Sequence, residues 1–287
     1  MREIDDDKLG LLLKQTGGMV AASFNCAITV LGDRLGLYQA LGELGPSTSS
    51  ELALHLKLHE RWVREWLHQQ TCIGQLEYLA DGARFAISPE AYAVLADEDH
   101  PAYLMGGFDS ALAVFPAVSK LEESFRTGIG MSYDDHGPNC ACGIERMGAF
   151  TKKHRLVGEM IPQLPGMHDR LVAGAMVADV GCGGGLATIA LAQAYPATTF
   201  VGYDTSDMAL QRAKANLAEA GVANVRFCNP FAEPLPKERT FDLITTFDVI
   251  HDTPYPKDLI VKIYAALKAD GQWLCEANSF ARCRKLH

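Results

Sequence analysis

The stretch MVADVGCGGGLATIALA, Met176 to Ala192, constrains the fold more than any other part of this chain. An apolar strand ends at an aspartate, four glycines follow within five residues, and an alanine-rich helix begins at once. Glycine lets a backbone turn tightly and approach a ligand with no β-carbon in the way. Strand, glycine turn and helix in this order mark the first unit of a parallel sheet covered by helices. The spacing does not fit two common alternatives. A dinucleotide fingerprint starting at Gly181 requires glycine at position 186, which is Leu186, and the GK[ST] of a phosphate-binding Walker loop is absent.

The alternation of strands and helices continues from there. Strands are predicted over Met176–Val180, Thr199–Tyr203, Asn224–Cys228, Phe241–Phe247 and Gln272–Glu276. Helices fall between them. One is capped by Thr205 or Ser206 and stopped by Gly221; another starts near Pro256 and stops at Asp270-Gly271. Asp204 at the end of the second strand is placed to accept hydrogen bonds from the two hydroxyls of a ribose. The pattern therefore reads as a nucleoside site.

The first 125 residues have a different, mostly helical rhythm. Thr48 and Glu51 fit a capping box, and Trp62, Val63, Trp66 and Leu67 recur at helical spacing, predicting a buried face for a second helix. LEYLA and ARFAIS then flank Asp81-Gly82, a strong hairpin signal. Helix, turn, helix and hairpin make a winged-helix arrangement. Between Glu51 and Glu90 four Lys/Arg face six Asp/Glu, and the whole chain carries a net charge of −9. Both disfavour a nucleic-acid surface, so a dimerisation or substrate-lid role is the expectation for this domain. The intervening RTGIGMSYDDHGPNCACG reads as a loop, with helical sequence over Glu145–Ile161 after it. A loop between domains often folds over a site.

Eight cysteines are dispersed without a CxxC pair, which fits reduced thiols in a cytoplasmic protein and gives no metal centre. His55 and His59 have metal-like spacing but fall on different predicted helices. The N-terminus lacks the layout of a signal peptide, and no apolar run reads as a membrane span.

VADVGCGGGLATIALA, FVGYDTSDMALQRAKANL and FDLITTFDVIHDTPYP resemble the consecutive motifs of the class I S-adenosylmethionine (SAM) dependent methyltransferases. ERWVREWL, RFAISPEAYAVLAD and SYDDHG are similar to the subgroup with an N-terminal winged-helix domain, so the resemblance covers roughly residues 30 to 277. It implies an α/β, Rossmann-like methyltransferase sheet and SAM as cofactor. The domains would be 1–125 for winged helix and dimerisation, 126–170 for linker and lid, and 171–287 for SAM binding. Residue by residue, the resemblance places Gly181, Cys182 and Gly183 under the methionine part, with Asp179 orienting the turn and the amino group. Asp204 would hold the ribose, Thr205 or Met208 would lie against the adenine, and Phe247 and Asp248 would border the methionine moiety and the transferring methyl. Phe231-Ala232 stands where the family has Asp-Ala; phenylalanine cannot accept the adenine amino hydrogen bond, though it can wall the ring.

A small-molecule acceptor, methylated at oxygen, would lie beyond the fourth strand, near His251 and Asp252. Histidine titrates nearest neutral pH and is the candidate general base. Neighbouring residues do not normally face each other, so no dyad of the two is expected. Tyr133 and His136 reach the site if their loop is a lid. The family's sheet continues past the fifth strand with two more, for which CEANSFARCRKLH leaves no room, so the domain is expected to be short at its C-terminal end. A SAM-binding protein with impaired catalysis and a DNA-binding regulator stand as alternatives.

Overall fold

The computed structural model describes residues 4–276, and the chain divides into two units, each treated by itself. The first comprises residues 1–127 with Cys142–Met147; the second comprises Gly128–Ala141 and everything from Gly148. The stretch between the winged helix and the sheet thus contributes to both.

In the first unit, helices α1 (Asp6–Arg34), α2 (Leu37–Leu44), α3 (Ser49–Leu56) and α4 (Glu60–Cys72) precede the hairpin β1 (Glu77–Leu79) and β2 (Arg84–Ala86). Helices α5 (Pro89–Leu95) and α6 (Met105–Thr127) follow. The expected capping box opens α3: Thr48 Oγ1 accepts from Glu51 N–H, and Glu51 accepts from Thr48 N–H at 2.8 Å. Arg84 in the hairpin donates to both Glu51 oxygens, tying wing to helix. The buried face of α4 is Val63, Trp66, Leu67 and Gln70. Trp62 is 74% exposed and is not part of it: at i, i+3, i+4 spacing from Val63, the stripe runs through 66 and 67 and leaves 62 at its margin. Trp66 donates to Ile28 O and sits edge-on to Tyr38, whose hydroxyl donates to Gln70 Oε1 at 2.6 Å.

The second unit is built on a parallel sheet ordered β5-β4-β3-β6-β7. Its strands are β3 (Met176–Val180), β4 (Thr199–Tyr203), β5 (Val225–Cys228), β6 (Phe241–Phe247) and β7 (Leu267–Glu276). Every residue of β6 is buried, as expected of a central strand covered on both faces. The helices after β3, β4 and β6 are α9 (Leu186–Ala194), α10 (Asp207–Ala220) and α11 (Pro256–Ala266), with α8 (Met167–Ala173) ahead of β3. Ser206 caps α10, its Oγ accepting from Ala209 N–H, and Gly221 ends it in the left-handed conformation. Strand order reverses about β3, so a crevice opens beyond the carboxyl ends of β3, β4 and β6.

Two expectations are corrected. α11 stops at Ala266, not at Asp270-Gly271, and β7 starts directly at Leu267. The Asp-Gly pair forms a bulge inside β7, between the pairings Phe241↔Leu267 and Leu243↔Gln272. A β-carbon at Gly271 would press on Phe241 O, so the bulge requires glycine there. The second correction concerns the expected loop. It holds a 3-10 turn, Tyr133–His136, and then helix α7 (Pro138–Phe150), which runs on as a π-helix over Thr151–Met160. Gly137 at φ +78° resets the chain and Pro138 occupies the first helical turn, a helix start hidden in glycine- and proline-rich sequence. Among the described residues β7 is an outer strand, opposite β5, and no helix is long and apolar enough to cross a membrane. The segment on which the expectation of absent C-terminal strands rests lies outside the described residues.

Candidate active site

The glycine turn begins where β3 ends. Gly181 and Cys182 N–H both donate to Tyr203 O, at 2.7 and 3.0 Å, which folds the turn back onto β4. Gly181, Gly183 and Gly185 all have positive φ, but their surroundings differ. A β-carbon at Gly181 would overlap the Val249 side chain, and one at Gly185 would overlap Phe227. At Gly183 a β-carbon would meet nothing within 4 Å. Packing therefore demands glycine at 181 and 185, whereas at 183 glycine leaves a cradle of bare backbone facing open space. A ligand lying over the turn fits at Gly183.

Asp179 holds this turn from beneath. It is 2% exposed and accepts from Thr188 Oγ1 at 2.6 Å and Thr245 Oγ1 at 2.9 Å, joining β3 to α9 and β6. Burial pushes its carboxyl above the usual range, against the pull of those two hydroxyls. The expected contact with a ligand's amino group finds no support in this placement, since the carboxylate is directed inward.

Asp204, at the end of β4, lies beside the cradle. Its Oδ2 accepts from Gly183 N–H at 2.8 Å and its Oδ1 from Ser206 N–H at 2.9 Å. Burial raises this carboxyl too, and Asp134 adds to the rise. Each carboxylate oxygen has two lone-pair directions, so the carboxylate keeps acceptor capacity for a hydroxyl donor beyond the backbone N–H groups of Gly183, Thr205 and Ser206. Thr205 is exposed and Met208 half-buried near the start of α10. Phe231 is 83% exposed and Ala232 is exposed as well; their turn is shaped by Asn229, which accepts from Phe231 N–H and donates to Asp207.

At the end of β6, Phe247 is buried in the core with Lys152 Nζ 6.0 Å from its ring centroid. Asp248 follows at φ +58°, a conformation few residues other than glycine adopt, and its N–H donates to Glu276 O. That twist sends Val249 back against Gly181. Contrary to expectation, His251 Nε2 and Asp252 Oδ1 do approach each other, to 3.5 Å. They sit in a turn rather than on an extended strand, so neighbouring side chains are free to converge.

The segment before α7 contributes directly. Ser206 Oγ donates to Asp134 Oδ1, so the Tyr133–His136 turn is joined to the end of β4. Burial, together with Cys140, Asp204, Asp252 and Asp134 around it, raises the Tyr133 hydroxyl above the usual phenol range. Tyr133, Cys140, Asp204 and Asp252 thus share one neighbourhood. His136 lies beside Tyr133, with ring centroids 6.3 Å apart, and its Nδ1 faces Ser132 O and Tyr133 O at 3.1 and 3.3 Å. A cavity of about 410 Å³ lies apart from the glycine turn, lined by Thr151, Arg155 and Met160 of the π-helix, Gln163, Leu164, and Leu274 and Glu276 of β7. Among the described residues, no three His, Cys, Asp or Glu side chains gather as metal ligands.

Asp134, Cys140, Lys152 and Val249 were not readable as site residues. Asp134 lies in SYDDHG, where only Tyr133 and His136 were singled out, Cys140 in the loop sequence after it, Lys152 in a helical run, and Val249 matters only through the backbone twist at Asp248.

Residues 171–282 match the family model described as "Methyltransferase domain". The chain carries a methyltransferase domain. Residues 23–97 match a second model, "Rv2258c-like winged HTH domain", in agreement with the helix-turn-helix and hairpin described above. Among curated relatives, a ubiquinone biosynthesis O-methyltransferase of Pseudomonas fluorescens (strain Pf0-1) is 35% identical over 103 residues, 35% of this chain and 43% of that one. An uncharacterized methyltransferase, sll0829, of Synechocystis is 38% identical over 116 residues, 39% of this chain and 51% of its own. The alignments span about half the length of these relatives. Among solved structures, the mitomycin 7-O-methyltransferase MmcR superposes with a TM-score of 0.67 at 19% identity, over 94% of this chain and 81% of that one. Human N-acetylserotonin methyltransferase, solved in complex with SAM, gives 0.58 at 16% identity, over 96% and 81%. These structures share the fold described here, which combines a Rossmann-like parallel sheet with a helical N-terminal domain.

Proposed function

We propose that this protein transfers the methyl group of SAM to an oxygen of a small organic acceptor. The observation that carries this reading is the open backbone cradle at Gly183 with the Asp204 carboxylate fixed beside it, in a domain that matches a methyltransferase family. Relatives named as O-methyltransferases support the choice of oxygen. SAM would lie over Gly183 with its ribose hydroxyls on Asp204, and its sulfonium supplies an already activated methyl group. What this chain adds is placement and the exclusion of water. Gly183 admits the cofactor to contact with the backbone. Asp204 fixes the sugar, and Asp179 keeps the turn in shape from below.

The acceptor belongs at the carboxyl end of β6, near Asp248, His251 and Asp252. A hydroxyl acceptor loses a proton on methylation, and His251 is the group proposed to take it, oriented by Asp252 at 3.5 Å. Tyr133, half-buried over the same end of the sheet, forms part of the acceptor wall. His251→Ala is expected to lower turnover of a phenolic acceptor by roughly 10²-fold with SAM affinity unchanged; unaltered turnover removes the base role. A radiolabelled methyl-transfer assay on a panel of phenols tests the reaction itself.

The helical domain is proposed to form a homodimer. The first twenty residues of α1 bury no side chain within this chain, yet expose Leu9, Leu11, Leu12, Leu13, Met19, Val20 and Phe24. Apolar surface on that scale marks an interface. DNA binding gains no support from α4, whose Arg61 and Arg64 are each paired along the helix with Glu65 and Glu60. A cytoplasmic location belongs to the same proposal.

A further inference from the structure

The Tyr133–His136 turn is anchored at one atom of the nucleoside site. Ser206 is 2% exposed and sits at the junction of three interactions. Its N–H donates to Asp204 Oδ1, its Oγ accepts from Ala209 N–H to cap α10, and the same Oγ donates to Asp134 Oδ1. Asp204 in turn receives Gly183 N–H on its other oxygen. One continuous path therefore runs from Asp134 through Ser206 to Asp204 and the Gly183 cradle.

Each link constrains the next. A serine hydroxyl has one proton to give. Given to Asp134, it leaves an oxygen lone pair aimed at Ala209 N–H, which fixes the Ser206 side chain and with it the direction of the Ser206 N–H. That N–H, with Gly183 N–H, sets the plane of the Asp204 carboxylate. Ser132 Oγ accepts from Asp135 N–H, and Ser132 also donates to Asp135 Oδ2, so the turn that presents Asp134 is itself braced. Two acidic groups sharing a buried serine repel one another, and Asp134 does raise the Asp204 carboxyl. A pair of negative charges kept together at that cost calls for a role beyond stabilising the fold.

We propose that Asp134 is a positioning residue for cofactor binding, holding Asp204 through Ser206 in the orientation that grips the ribose. The proposal rests on the SAM-binding reading above. It does not make Asp134 a ligand to the cofactor, and it gives Asp134 a role separate from that of its neighbour Tyr133 in the acceptor wall.

The test compares dissociation of S-adenosylhomocysteine from the full-length wild type, Asp134→Ala and Asp134→Asn, with amide hydrogen exchange of residues 128–141 followed in the same proteins without ligand. Loss of a hydrogen bond to a charged group predicts about tenfold faster dissociation in Asp134→Ala, with exchange in 128–141 accelerated. Asp134→Asn keeps the acceptor oxygen and removes the repulsion of Asp204, so it is expected to dissociate as slowly as the wild type or more slowly. Should Asp134→Ala fold poorly, Ser206→Ala, which removes the hydroxyl and keeps the Ser206 N–H, breaks the same link and is expected to speed dissociation as much; an unchanged off-rate there overturns the role. Normal binding by the wild type with an unchanged off-rate in Asp134→Ala overturns the positioning role. A lowered melting temperature without a change in off-rate does the same. No binding of S-adenosylhomocysteine by the wild type would instead overturn the reading on which the proposal stands.

Discussion

At the residue scale, the glycine turn separates two reasons for glycine that are identical in sequence. Gly181 and Gly185 are needed because Val249 and Phe227 fill the space a side chain would take, and Gly183 because nothing does. Gly181→Ala and Gly185→Ala are therefore expected to lower the melting temperature markedly, through both overlap and positive φ. Gly183→Ala is expected to cost only the roughly 1–2 kcal/mol of a left-handed alanine while weakening SAM binding far more. Thermal melts beside calorimetry distinguish these, and equal stability losses at all three positions would refute the distinction. Asp179 yields a pH prediction. Its folded-state carboxyl is raised, with burial the largest cause, so its contribution to stability is full below the ordinary carboxylate value of about 4 and is lost as pH rises through the raised value. Asp179→Asn removes that dependence. The stability of the variant relative to the wild type should therefore increase upward from about pH 4; a constant difference across that range would contradict it. The aspartate and glycines were legible as a site because the chemistry of backbone approach restricts residue type. What each one faces was not legible, since Phe227 arrives from β5 and Val249 from the turn after β6.

Among elements, the least legible was the run from Arg126 to Gly143, whereas the helix expected over Glu145–Ile161 is present. Composition rich in Gly, Asp and Pro suggested an irregular loop, but a single left-handed Gly137 and a first-turn Pro138 divide it into a 3-10 turn and a helix. Residues Cys142–Met147 of α7 pack within the first unit. A β-carbon at Gly143 would collide with Gly106 O and Ser110, so α6 and α7 cross at nearly bare backbone. Three residues on, Arg146 donates to Asp33 of α1 at 2.8 and 3.0 Å, to Asp109 of α6 at 2.8 Å, to Glu98, and to the Tyr103 hydroxyl. Asp33 and Asp109 are almost wholly buried. Arg34 also approaches Asp109, at 3.6 Å, but removing Arg146 takes away the cation that bonds both carboxylates, and Arg146→Ala is expected to destabilise by about 3–5 kcal/mol in urea unfolding. A loss under about 1 kcal/mol would mean the cluster behaves as surface charge. Helix ends were better read. Thr48 with Glu51, Ser206 and Gly221 act as caps where their residue types suggested, because capping is local. The bulge in β7 was not, because it depends on register against β6.

Over the whole molecule, the architecture was readable because strand, turn and helix alternate with a fixed rhythm and a parallel sheet imposes that order on the chain. The winged helix was readable because its hairpin carries Asp81-Gly82. Its partner is not encoded in periodicity, and the exposed apolar residues of α1 carry the proposal of a homodimer. Light scattering is expected to return twice the chain mass of 31.2 kDa, and Phe24→Glu, at a residue 69% exposed in the chain, to return the chain mass with the fold intact. A wild-type monomer would remove the dimer from the account. The central claim is that the cradle at Gly183 and Asp204 holds SAM, and titration calorimetry of the full chain with SAM addresses it most directly. One site per chain with a dissociation constant well below about 1 mM, weakened by Asp204→Ala, is the result expected. No binding at millimolar SAM, or binding indifferent to Asp204→Ala, would contradict it.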